Sequence, residues 1–191
     1  MVPSSGTTCS VGRETPLPRA DRGRQNDTMT DSEPDAHVIG PGLLATPFTA
    51  DQIREATGDG KTIRLLIEQP QGSRNIRVNR FRETDADGAT LDRWSSGPDG
   101  VVQGEISSAR VSWRDLQAHA AFPAECTVLS SESLSLPIGR VDCLRYDVRE
   151  SLESAPATFW FSVKHPGMPV QYEAPAEGGL RRTTIVAIEW Q

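Results

Sequence analysis

Apolar and polar residues alternate most clearly over residues 158–173, TFWFSVKHPGMPVQYE, where Phe159, Phe161 and Val163 share one face of an extended strand and Trp160, Ser162 and Lys164 the other. Pro166 and Gly167 interrupt the pattern with turn chemistry, since proline presets φ and glycine accepts positive φ. The spacing predicts a hairpin turning at 165–168, with Phe161 opposite Tyr172 and Val163 opposite Val170. Residues 141–149 fold onto the first of these strands about 151–154, setting Tyr146 against Phe159 and Leu144 against Phe161. A slip of one residue would turn Leu144, Tyr146 and Val148 toward polar neighbours, so the pattern itself selects this register.

Two helix starts stand out. Thr49 with Gln52 three residues on is a capping box, and Phe48 with Ile53 is spaced as a hydrophobic staple, which predicts a helix from 50 to about 57. Ser112 with Asp115, and Val111 with Leu116, repeat that grammar and predict a second helix ending near 122. Strands are predicted at 62–69, 75–84, 89–95, 101–111, 126–136, 141–149, 157–164, 169–173 and 182–190, with turn chemistry at 70–73, 87–88 and 97–100. Short connections favour an antiparallel meander over a Greek-key sandwich. The expected fold is mainly β (α+β): a curved antiparallel meander sheet or partly open barrel of about nine strands with two short helices. Superposing the two staples also pairs Ile63 and Leu65 with Cys126 and Val128, a pattern that an ancient duplication would leave.

Residues 1–28 are rich in Ser, Thr, Gly, Pro and Arg, hold no apolar run and read as a disordered N-terminal extension without a signal peptide; an ordinary-looking chain opens at Met29. Residues 29–47 read as a loop-like tether and 48–191 as a single β domain. The context of Cys9 does not match a lipidation site. No 18-residue apolar stretch occurs, so no membrane span is expected and the expected location is cytoplasmic. There the three cysteines are expected as free thiols. A net charge of −6 and a pI near 5.1 lack the basic footprint of a nucleic-acid binder, and no nucleic-acid partner is expected. Of the 20 basic residues only Lys61 and Lys164 are lysine, a bias that reads as codon usage.

The order of strand, aromatic strand with its FWFS run, Pro-containing turn and PVQYE strand, over residues 139–173, resembles the LolA-type half-barrel carriers. The resemblance implies an open antiparallel β-barrel and carries no catalytic or binding motif with it.

Motifs of known chemistry fail on context. Gly58-Asp59-Gly60-Lys61-Thr62 ends like a phosphate-binding P-loop, but Glu55 stands where the first glycine belongs, and the loop leaves a helix to enter a strand. Asp85 and Asp87 before Gly88 lack the further ligands of a calcium loop and read as a turn. His37, His119 and His165 are scattered without ligand spacing, His119 on a solvated helix side and His165 in a turn with an exposed ring; neither a metal nor a cofactor is expected. No nucleophile elbow or Cys-His signature occurs.

The second face of the core sheet remains. With Gly178 and Gly179 as a two-residue turn, Ile185 and Ala187 join the core, while Val186, Ile188 and Trp190 lie on the opposite side with Trp160. Such a two-faced apolar sheet must be covered on both sides, either by helix or tether or by a ligand. The candidate site is a surface of Trp160, Val186, Ile188 and Trp190, with Arg145 and Lys164 placed for an anionic group. The expected function is a non-enzymatic module binding an apolar or amphipathic small molecule or a protein segment. The alternatives are a hydrolase or isomerase using Asp142, Asp147 or Glu173, and a structural or oligomer-forming domain.

Overall fold

The computed structural model describes residues 35–97, 100–151 and 153–190, so the expectations for 1–28, for Cys9 and for a start at Met29 lie outside the described residues. Nine strands follow the predicted segments: β1 (Thr62–Glu68), β2 (Arg74–Arg82), β3 (Gly88–Ser96), β4 (Val102–Ser112), β5 (Thr127–Leu136), β6 (Gly139–Val148), β7 (Ala157–Ser162), β8 (Gln171–Ala176) and β9 (Gly179–Glu189). All pair antiparallel in one unclosed sheet of order β4-β3-β2-β1-β9-β8-β7-β6-β5. Two meanders therefore meet where the last strand joins the first. β1 to β4 run from that junction to one edge and β5 to β9 from the other edge to the junction, so both halves advance along the sheet in the same direction.

The helices start where their caps predict. Thr49 and Gln52 exchange both bonds of the capping box at the head of α1 (Ala50–Glu55), and the Ser112 hydroxyl accepts from the Asp115 amide at 3.0 Å to start α2 (Trp113–Ala118). Both are shorter than expected, each ending in a cap residue of right-handed helical conformation.

The β6–β7 register is the predicted one, with Leu144 opposite Phe161 and Tyr146 opposite Phe159. The two following hairpins each differ by two residues. The Val163 amide donates to the Asp142 carbonyl and the His165 amide to the Ser162 carbonyl, so the chain leaves β7 early and Phe159, not Phe161, faces Tyr172. The β8–β9 turn centres on Glu177 and Gly178, Gly178 at φ 85°, which places Thr183 beside Tyr172. A shift of two keeps every side chain on its face.

A one-residue irregularity does not. β1 pairs Leu65 with Ile185 but Arg64 with Ala187, leaving Val186 as a bulge. Beyond it Ile188 faces Ile63, so Ile188 and Trp190 stand on the side of the core rather than with Trp160.

The inner face, which carries the helices, holds Ile63, Leu65, Phe81, Leu91, Phe161 and Ile185, each below a tenth exposed. Phe48 and Phe122 pack onto it from the connecting segments, Phe48 edge-on to Phe161 and Phe122 stacked on Phe159 at 4.9 Å between centroids. Residues 36–48 run along this face: Leu43 bridges Pro123, the Leu44 amide donates to the Phe122 carbonyl, and the Tyr146 hydroxyl donates to the Ala45 carbonyl. Gln117 of α2, 4% exposed, ties the segment down through the Ala36 carbonyl and the Thr46 hydroxyl, and accepts from the Ala50 amide of α1. Among the described residues no helix is long and apolar enough to cross a membrane.

Candidate functional site

Trp160 does face away from the helices, and its own sheet covers it. It is 6% exposed. The Arg145 guanidinium lies 5.5 Å from its ring centroid, and its indole nitrogen donates to Glu132 at 2.8 Å. Arg145 in turn binds Asp147 at 3.1 Å and Glu132 at 3.3 Å, while Thr158 donates to Asp147 at 2.6 Å. Its charge is answered twice over, and those carboxylates, Asp147 first, raise its pKa above the ordinary arginine value. Cys143, on the same side and 3% exposed, has its thiol pushed up to about 11 by burial. A shallow depression of about 270 Å³ beside this cluster is lined by Glu132, Cys143, Leu144 and Val163.

The other residues of the predicted surface are dispersed. Lys164 is exposed in the β7–β8 loop, Val186 occupies the bulge, and Ile188 packs on the inner core. Trp190 is exposed at the end of β9, with the Lys61 amine 5.6 Å from its ring. The carboxylates of the enzymatic alternative are all engaged: Asp142 with the Ser133 hydroxyl, Asp147 as above, and Glu173 with Arg182 at 2.6 Å. His165 is half-buried rather than exposed, because its loop folds toward Lys61; burial first, then the charges of Lys164 and Lys61, lowers its pKa.

The inner face brings together residues that the alternation alone did not single out. Arg77 and Tyr172 belong to β2 and β8, with β1 and β9 between them, yet the Arg77 guanidinium donates to the Tyr172 hydroxyl at 3.5 Å. Asn79 likewise reaches the Met168 sulfur at 3.6 Å. On a flat sheet strands three places apart are separated by about 14 Å, so these long side chains lean toward each other over β1 and β9, and the approach of β5 to β9, with three strands between them, shows that the sheet is curved. Register places Arg93 opposite Asn79, and Arg77 two residues before Asn79, all on this face. Asn79 is 6% and Thr183 1% exposed, yet Asn79 Oδ1, Thr183 Oγ1 and Arg77 Nε are buried without a hydrogen-bond partner. No carboxylate pairs with Arg77 or Arg93 among the described residues. Arg93 is exposed at the rim of this face, and what desolvation its guanidinium feels, and then the charge of Arg77, lowers it from its ordinary value. The sequence NIRVNRF hid this cluster because Ile76 and Val78 alternate with Arg77 and Asn79, which points attention to the other face.

A third cation, Lys61, lies at the helix-covered end of the same face. It is 5% exposed, donates to the Ala56 carbonyl beyond α1 at 2.7 Å, and has its pKa lowered to about 8 by burial. It thereby caps a helix C-terminus, where a cation is favourable, and is turned away from any phosphate role at Gly58–Gly60.

Comparison with known proteins finds no family model that matches the chain and no match among curated proteins.

Proposed function

We propose that the chain is a non-enzymatic binding module, and that the concave inner face of its sheet takes up an apolar or amphipathic small molecule or a protein segment. The observation that carries this reading is the meeting of Arg77 and Tyr172 across two intervening strands, beside buried polar atoms that the chain leaves unpaired. Phe48, Phe122 and the helices fill one part of the face, and next to that filling Ile67, Phe159 and Tyr172 stay half-buried. A partly open apolar trough with a few convergent polar groups is the setting in which amphipathic ligands bind. The shape expected from the resemblance to half-barrel carriers is in keeping with it, and a cytoplasmic location goes with the free thiols of Cys126 and Cys143.

Native mass spectrometry of the purified chain, with solvent extraction of whatever dissociates, tests the proposal. The expected result is an organic molecule carried at near-stoichiometric amount, or uptake of an added fluorescent fatty acid. A chain that emerges empty and takes up no such probe sinks it.

A further inference from the structure

We infer that Arg77 and Arg93 form a cradle for an oxyanion, the shared chemistry of a free phosphate and of an amphiphile's headgroup. The inference rests on the binding reading above and names the polar end of its ligand.

The outer face of the same strands supplies the template. There Arg80 and Arg82 of β2 converge on Asp92 of β3, at 3.0 Å from Arg80 and 2.7 and 3.0 Å from Arg82, and Ser108 of β4 donates to the same carboxylate at 2.7 Å. On the inner face the corresponding places hold Arg77 and Asn79 of β2, Arg93 of β3 and Ser107 of β4, the last opposite Arg93. An asparagine stands in for one arginine, the Ser107 hydroxyl donates to the Arg93 carbonyl at 3.3 Å, and the position that mirrors the carboxylate holds a second arginine. Arg77 and Arg93 are diagonal neighbours across the β2–β3 pair, with roughly 7–8 Å between such positions, a separation that long side chains span around one anion. Without an anion their like charges repel, and Arg77 keeps a buried nitrogen without an acceptor. A bound oxyanion answers both charges, gives that nitrogen a partner and leaves the Tyr172 hydroxyl free to donate to it. The apolar part of the ligand then lies along Ile67 and Phe159, beside Tyr172.

Isothermal titration with two probes, inorganic phosphate and monododecyl phosphate, tests this on the full chain and on Arg77→Gln and Arg93→Gln. Unfolding curves confirm that each variant folds, and Arg93→Lys serves as the charge-retaining control. The expected result is binding of the amphiphile, weakened about tenfold or more by either Gln substitution and less by Lys, with phosphate alone weaker and sensitive to the same residues. Phosphate bound as tightly as the amphiphile, and lost in the Gln variants, supports the cradle while removing the apolar part of the proposed function. Amphiphile binding that both Gln variants leave unchanged overturns the cradle and leaves the apolar trough standing. Failure of both probes to bind the unmodified chain overturns the cradle outright.

Discussion

The two faces of β2, β3 and β4 carry the same kinds of side chain and treat them differently. Outside, Arg80, Arg82 and Ser108 close on Asp92, and farther along the sheet Arg64 pairs with Glu189, Arg145 with Glu132 and Asp147, and Arg182 with Glu173. Inside, Lys61, Arg77 and Arg93 have no carboxylate partner among the described residues. The outer charges are largely spent on ion pairs within the fold, whereas Lys61 is held by the α1 C-terminus and Arg77 and Arg93 are left without a carboxylate among the described residues. On the proposed reading that asymmetry, rather than any single residue, separates a structural face from a binding one.

The largest effects fall on β7, where neighbouring residues point to opposite faces. Phe161 is 2% and Trp160 6% exposed, so both Phe161→Ala and Trp160→Ala should cost ~3–5 kcal/mol in denaturant titration. A near-neutral Trp160→Ala would show that the Arg145 and Glu132 cover is loose and that the outer face is open after all. Slightly smaller is the cost of unpicking the outer network. Asp92 is 1% exposed, and Arg82 first, then Ser108 and Arg80, hold its carboxyl well below the usual range against the opposing effect of burial. Asp92→Asn should therefore cost about 3 kcal/mol near neutral pH, by leaving two arginines without their anion. The stabilisation that Asp92 provides is present above the unfolded carboxyl pKa, near 4, and is lost as pH falls through the lower folded value, so the two proteins should converge in acid. Curves that stay parallel down to about pH 2 would count against the network.

The legible parts of the fold were those fixed by neighbours in sequence. Thr49 and Ser112 announced both helix starts, and the aromatic alternation of β7 against Leu144 and Tyr146 fixed a register that the structure keeps. Registers that depend on distant partners were not legible. The β7–β8 loop widens because Val163 bonds Asp142 of β6, and Val186 bulges because β9 must pair with β1 from the other end of the chain. That bulge carried Ile188 and Trp190 out of the predicted surface. The candidate site needed contacts across strands, since Arg77 meets Tyr172 over β1 and β9, and alternation by itself says nothing about which side chains lean together or how strongly a sheet bends.

Lys61 gives the inner face its own pH signature. Its amine falls from 10.5 to about 8 in the folded chain through burial, so between those values the unfolded chain holds more protons. Stability should consequently rise as pH increases from 8 to 10.5, with the full cost of the buried charge, on the order of 3 kcal/mol, present below pH 8. Lys61→Met should flatten that rise relative to the unmodified chain in unfolding curves taken across the window. An identical slope in both would mean that the amine is solvated and that this end of the face is not closed. The helices that close it contribute less each: Thr49→Ala and Ser112→Ala should each cost about 1 kcal/mol, since each strands a backbone donor in the first turn. Neutral substitutions would place the cover of the inner face elsewhere.

The smallest expected change separates the faces most directly, because its sign is the test. On the outer face Arg82→Gln removes two hydrogen bonds from Asp92 and should destabilise the chain. On the inner face Arg93→Gln removes a guanidinium that has no ion pair among the described residues and that is repelled by Arg77, so no attraction is lost and a repulsion is relieved. Between partly solvated charges that repulsion amounts to a few tenths of a kcal/mol, so Arg93→Gln should leave stability unchanged or raise it slightly in the absence of ligand. Added anion should then stabilise the unmodified chain more than the variant, because a ligand that binds only the folded state raises the melting temperature in proportion to its occupancy. A loss above 1 kcal/mol for Arg93→Gln in anion-free buffer would mean that the guanidinium is already satisfied within the fold, that the two faces obey one rule, and that the inner arginines await no ligand.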